Sequence, residues 1–134
     1  MASIRKEVTL EAPAEAVWNA VRDVGQVHKR LVPGVLTDAR LEDGARVMTF
    51  ANGMVVRELI VDLDDEHRRF AYAAIGGRAL HHHASIQVVP LDHLRCRLEW
   101  ITDVLPHDMA GPISALVEQG ARVMKQTLES TAPN

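Results

Sequence analysis

The sequence predicts an α+β fold in which one curved antiparallel sheet of seven strands packs on a long C-terminal helix. Three observations predict it. From Val35 to Val104 the pattern is almost unbroken β, in runs rich in valine, leucine and aromatic residues cut by turn chemistry. After Pro106 the apolar period changes to three and four, one face of a long helix. The links between strands are too short for crossover connections, so neighbouring strands run antiparallel.

The elements follow in order. Ile4, Val8 and Leu10 share one face of an opening strand and Arg5, Glu7, Thr9 and Glu11 the other, with Lys6 the exception to the alternation. Ala12-Pro13 ends it. Pro13 suits the first position of a helix, Glu15 complements the helix dipole, and Val17, Trp18 and Val21 form a buried stripe as far as Asp23. Gly25 breaks that helix, and residues 26–31 fit a second short one before Pro33-Gly34. Six strands are expected at about 35–42, 45–51, 54–62, 69–75, 80–89 and 94–104. The turns between them are Glu42-Asp43-Gly44, Asn52-Gly53, Asp64-Asp65-Glu66-His67, Gly76-Gly77 and Pro90-Leu91-Asp92-His93. Asn52-Gly53 is the sharpest signal, read as a type I′ hairpin turn joining Val47–Ala51 to Met54–Val61. In the last helix Ile113, Leu116, Val117, Gly120, Val123, Met124 and Leu128 line the apolar face. Gly120 there costs about 1 kcal/mol of helix propensity relative to alanine, which close approach to the sheet or to a ligand would explain. Seven strongly twisted strands curl, and one helix cannot fill the concavity, so a cavity between sheet and helix is expected.

Composition excludes several function classes. The chain has 134 residues, the size of one domain, and 47% hydrophobic against 25% charged residues is ordinary for a globular protein. A net charge of −3, from 15 basic and 18 acidic residues, argues against nucleic-acid binding through a basic face. The single cysteine, Cys96, excludes a disulfide framework and any multi-cysteine zinc site. No segment approaches the roughly 20 apolar residues that span a bilayer, and the first residues lack an apolar signal core. A cytoplasmic domain without membrane insertion is expected, and a homodimer through an exposed sheet edge stays open.

Strand alternation proposes the inward side chains. Cys96, Leu98, Trp100 and Thr102 oppose Arg95, Arg97 and Glu99, so the former set points in. The same test turns His82, Ala84, Ile86 and Val88 inward, with Phe70, Tyr72 and Ala74, and with Met48 and Phe50. Trp100, His82 and Tyr72 in one concavity make an aromatic box with a few polar handles, the usual composition of a small-molecule site. Each of these residues could equally be plain core. Arg57 and Glu58 lie mid-strand with apolar residues on both faces, so only one can point inward. Arg57 is preferred as the ligand contact, against a salt bridge on the outer face. His81-His82-His83 invites a metal reading, but His81 and His83 lie roughly 7 Å apart on a strand while His82 faces away. Even with His28, Asp103, His107 and Asp108 near the rim, no metal site is expected. Cys96 reads as a small buried hydrophobe. No GxSxG, GxGxxG or GxxxxGK[ST] motif is present, and no cofactor is expected.

The opening strand followed by Ala12-Pro13-Ala14-Glu15-Ala16-Val17-Trp18 resembles the start of the START-related, Bet v 1-like superfamily, in particular its polyketide cyclase/dehydrase-like branch. Further matches are Pro33-Gly34-Val35, Asn52-Gly53-Met54-Val55-Val56-Arg57-Glu58, Asp64-Asp65 ahead of Arg69-Phe70-Ala71-Tyr72, and Trp100. The resemblance covers nearly the whole chain. It implies a helix-grip fold, with residues 1–134 as a single ligand-binding domain and a hydrophobic pocket between sheet and helix. Members bind lipids, sterols, hormones or polyketides, and only some are enzymes, so the fold does not fix the activity.

The leading expectation is binding, including lipid transport, of a small hydrophobic, ring-containing molecule by Met48, Phe50, Arg57, Tyr72, His82, Trp100, Gly120 and Met124. The alternative is a cyclase or dehydratase in which Arg57 stabilises an enolate and His82 or Tyr72 shuttles a proton. A third is a protein-interaction module using the concave face, distinguished by whether residues 25–34 and 76–79 close the cavity.

Overall fold

A computed structural model describes residues 2–76 and 79–131. Strand β1 (Ala2–Leu10) leads into helix α1 (Ala14–Arg22), a 3-10 turn (Val24–Gln26) and the four-residue helix α2 (Val27–Arg30). Six strands follow: β2 (Leu36–Glu42), β3 (Ala45–Phe50), β4 (Val55–Asp64), β5 (Arg69–Ile75), β6 (His81–Pro90) and β7 (Cys96–Leu105). A second 3-10 turn (His107–Met109) enters α3 (Ala110–Thr131). The strands form one sheet in the order β1-β7-β6-β5-β4-β3-β2, with every pair antiparallel. This is the expected α+β helix-grip architecture. Gly77, expected in the β5–β6 turn, lies outside the described residues.

β1 alternates as its sequence dictates, and the exception is explained. Lys6 lies on the inner face, where its ammonium meets Glu118 of α3 at 2.9 Å. Two more polar contacts lie along the same seam: Lys125 Nζ donates to the Thr9 carbonyl at 2.8 Å, and the amide of Glu11, just past the end of β1, donates to Glu129 at 2.8 Å. Pro13 flanks α1 rather than starting it, and Val17, Trp18 and Val21 are buried as expected.

The hairpins depart from expectation in one informative way. The type I′ turn is at Asp43-Gly44, where both residues have positive φ (47° and 76°) and Glu42 pairs with Ala45. Around Asn52 the connection is a residue longer. Gly53 N–H donates to Phe50 C=O at 2.9 Å, and only Gly53 (φ 89°) is left-handed. This is a type I turn closed by a left-handed glycine, a three-residue loop. A two-residue turn at Asn52-Gly53 would set Met48 opposite Arg57. The extra residue shifts the register by one, so Met48 pairs with Val56 and Arg46 pairs with Glu58.

The interior is divided. One apolar cluster joins α1, α2 and the last turns of α3 (Met124, Leu128) to the sheet. A smaller one joins Val104, Ile113 and Val117 near the start of α3. Trp100 packs against both. Among the described residues no helix is long and apolar enough to cross a membrane.

Candidate functional site

A cavity of about 120 Å3 occupies the space between sheet and α3. Its walls are mostly apolar. Phe70 and Ile86 come from the sheet floor, Val27, Leu31 and Val32 from α2 and the segment after it, and Met124 from α3. Residues 27–36 therefore cover one side, while the segment 76–79 is only partly within the described residues. Leu116, about two-fifths exposed, marks the outer rim.

Of the side chains expected in the pocket, Met48, Phe50, Tyr72, His82, Trp100, Gly120 and Met124 all line the cavity. Arg57 does not. It lies on the outer face, its guanidinium 3.2 Å from Glu42, and the inward residue of the pair is Glu58. The cause is the register of the β3–β4 hairpin described above. With Arg46 rather than Val47 across from Glu58, period-two alternation carries Arg46, Met48 and Phe50 inward on β3 and Glu58 inward on β4.

Arg46 went unnoticed in the sequence, although a signal for it exists. Met48 and Phe50 were assigned inward, and Arg46 has the same parity. It is 5% exposed and Glu58 is 7% exposed. Arg46 Nε and Nη2 both reach Glu58 Oε1, at 2.9 and 2.8 Å, and Nη1 donates to the Val24 carbonyl at 3.3 Å. The guanidinium carbon sits 4.9 Å from the Phe70 ring centroid and 5.4 Å from that of Tyr72, within cation–π range. Burial pushes the Glu58 carboxyl above its usual range, opposed by the adjacent Arg46 charge.

Two aromatic residues complete this wall. Trp100 Nε1–H donates to Tyr72 Oη at 3.1 Å. Burial, and secondarily the Glu58 charge, raises the Tyr72 hydroxyl well above its usual pKa, so it stays protonated and remains a donor. Gly120 makes room above them. A Cβ at that position would lie 3.1 Å from Trp100 Cη2, a tight contact, so the glycine admits the indole.

His82 is lowered by burial and then by the charge of His81, which keeps it neutral at neutral pH. His81 and His83 stack on the opposite face with centroids 6.4 Å apart. Among the described residues no group of three or more His, Cys, Asp or Glu is arranged to hold a metal ion. Burial pushes the Cys96 thiol up to about 11, so it is not a thiolate nucleophile at neutral pH.

Comparison with known proteins adds the family. The family described as polyketide cyclase / dehydrase and lipid transport matches residues 1–133. The chain belongs to this family. No curated protein matches the sequence. Many solved structures share its fold, and three of them are informative. A START superfamily protein from Mycobacterium smegmatis is 14% identical with a TM-score of 0.74, covering 96% of this chain and 94% of that one. Norcoclaurine synthase from Thalictrum flavum, in complex with dopamine and hydroxybenzaldehyde, is 21% identical with a TM-score of 0.66, covering 90% and 84%. The di-domain ARO/CYC BexL of the BE-7585A biosynthetic pathway is 16% identical with a TM-score of 0.78, and the match spans 96% of this chain and 47% of BexL. At these identities the likeness is one of fold. Within the polyketide cyclase / dehydrase and lipid transport family, the chemistry of this chain has to be argued from its own cavity.

Proposed function

We propose that this protein binds a small hydrophobic, ring-containing molecule in the cavity between the sheet and α3. The observation that supports this is a mostly apolar cavity with two hydrogen-bonded pairs, Arg46–Glu58 and Tyr72–Trp100, set on one wall. Size narrows the ligand. An apolar cavity of about 150 Å3 accepts a benzene ring, and this one is about 120 Å3. One ring fills it, and a larger ligand extends past Leu116 or displaces α3. The test is titration with 4-fluorophenol followed by fluorine NMR, displaced in turn by other single-ring phenols, flavonoids, fatty acids and sterols. Saturable binding displaced by one class, and lost in Trp100→Ala with the fold retained, supports binding. An absence of saturable binding rejects it.

A second reading has its own observation. Both Arg46 contacts to Glu58 end on Oε1, and Oε2 has no hydrogen-bond donor among the described residues. A carboxylate with a free oxygen near a protonated tyrosine suits cyclase or dehydratase chemistry. Tyr72 O–H would donate to a carbonyl oxygen as enolate charge develops, and Glu58 would take the proton from the neighbouring carbon. The cavity would supply the rest by holding a chain of carbonyls in a reactive conformer. Norcoclaurine synthase and BexL support this reading only as examples of the fold. Turnover of a poly-carbonyl substrate that survives both Glu58→Gln and Tyr72→Phe unchanged would reject these roles.

A further inference from the structure

The polar wall of the cavity has an uneven inventory of donors and acceptors. Arg46, the one arginine or lysine lining it among the described residues, is paired: Nε and Nη2 reach Glu58 Oε1, and Nη1 donates to the Val24 carbonyl. Aromatic rings lie within cation–π distance of its guanidinium. Its charge is balanced by Glu58, so the wall holds no excess positive charge to receive an anion. Tyr72 Oη already accepts from Trp100 Nε1, which directs its own proton away from the indole, and that proton meets no acceptor among the described residues. Glu58 keeps Oε2 free. Both side chains line the cavity, with Tyr72 on the strand next to Glu58 and near its carboxylate in the sheet register. The His82 imidazole on β6 and the Thr102 hydroxyl on β7 line the cavity on other strands, while at this wall Tyr72 offers a donor and Glu58 an anionic acceptor.

A ligand group that satisfies both must accept one hydrogen bond and donate another. Ketones, ethers and esters only accept, and an ammonium only donates. A carboxylate cannot donate and meets the negative charge of Glu58. A hydroxyl does both, and the remaining space takes a single ring. We infer that the cavity selects a ring bearing a free hydroxyl, which accepts from Tyr72 O–H and donates to Glu58 Oε2, and that it rejects carboxylates. This inference rests on the cavity being the ligand site. Burial magnifies the discrimination, because a ligand lacking the hydroxyl leaves two buried polar groups without their partners.

The experiment is an NMR titration of the full chain that follows the Trp100 indole N–H, assigned by comparison with Trp18→Phe. Four ligands of similar size are used: p-cresol, toluene, 4-methylanisole and, at neutral pH, p-toluate. The expected result is that p-cresol binds at least about tenfold tighter than toluene and 4-methylanisole, the ratio that roughly 1.4 kcal/mol produces, and that p-toluate does not saturate. In Tyr72→Phe the preference for p-cresol over toluene shrinks. Equal binding of p-cresol and toluene by the unaltered protein overturns the hydroxyl selection while leaving the cavity as a binding site. Tighter binding of p-toluate overturns the donor–acceptor assignment. Binding of none of the four overturns the cavity reading itself, and this inference with it. The ligand series decides these outcomes on the unaltered protein, whether or not Tyr72→Phe folds.

Discussion

Arg46 and Glu58 stabilise the wall only as a pair. Two charges this far from water cost several kcal/mol each in desolvation, and their mutual contact offsets it. Removing one partner leaves the other buried and uncompensated. Glu58→Ala should therefore lower the unfolding free energy by about 3–5 kcal/mol. Arg57→Ala, which breaks only the exposed contact to Glu42, should lower it by less than about 1 kcal/mol. Urea denaturation of the two variants measures the contrast, and equal losses would contradict the assignment of inner and outer faces. Gly120 is the other residue under tension. Alanine there gains about 1 kcal/mol of helix propensity but must push the indole of Trp100 back by a few tenths of an ångström, against its hydrogen bond to Tyr72. Gly120→Ala should stay within about 1 kcal/mol of the parent in stability, while the indole N–H resonance moves. Gly120→Leu should fill the cavity, abolish the proposed ligand binding and destabilise by about 1–3 kcal/mol through overpacking. Binding isotherms and thermal melts of the two variants check these outcomes. The unusual glycine on an apolar helix face was legible in the sequence, and so was the inward set Tyr72, His82 and Trp100. Arg46 was not, because an arginine in a strand ordinarily reads as an outward residue.

Elements show where sequence patterning loses its grip. β4 carries Val55, Leu59 and Val61 on its exposed outer face, about three-fifths, two-fifths and half exposed, so hydrophobicity alone does not say which side is in. A bulge between Ile60 and Asp62 breaks the alternation further along. The face of β4 is set instead by one residue of loop length at Asn52-Gly53, a dipeptide that serves both two- and three-residue hairpins. Helix α1 is docked more explicitly. Trp18 Nε1 donates to Asp65 Oδ1 at 2.8 Å and Arg22 Nε to the same oxygen at 2.7 Å, so the β4–β5 turn clamps the helix. These bonds, Arg22 first and Trp18 next, hold the Asp65 carboxyl below its ordinary value of 3.8. As pH falls through the range beneath that value, the unfolded chain takes up the proton before the folded one does. The clamp's contribution is full above that ordinary value and is lost on acidification through the lowered one. Asp65→Asn should flatten the acid side of a Tm-against-pH curve and leave the neutral plateau lower. A variant curve parallel to the parent's would remove Asp65 from the acid response.

The whole molecule was the most legible scale. A strand, short helices, six strands and a long helix admit few arrangements when every link is short, and the seven-stranded sheet with its helix follows. The cavity's existence follows from the same geometry, whereas its chemistry depends on register and was not legible. α3 is the cover for the concave face, and the chain without residues 110–134 should lose cooperative unfolding and bind a hydrophobic dye such as ANS. A sharp unfolding transition in that truncated chain would show that the sheet is self-sufficient. The attachment of this cover is lopsided. The polar contacts of α3, Lys6–Glu118, Lys125–Thr9 and Glu129–Glu11, all fall on β1 and the residue that follows it, and across the cavity α3 faces β3–β6 through apolar surfaces with no such ties among the described residues. A helix held along one margin can pivot about it while the sheet stays intact. If the cavity is the ligand site proposed above, escape of a bound molecule and preference for it would be governed by separate parts of the chain. For the proposed ligand, the seam with β1 would set how long a visitor stays, and the wall of Arg46, Glu58 and Tyr72 which visitor is kept.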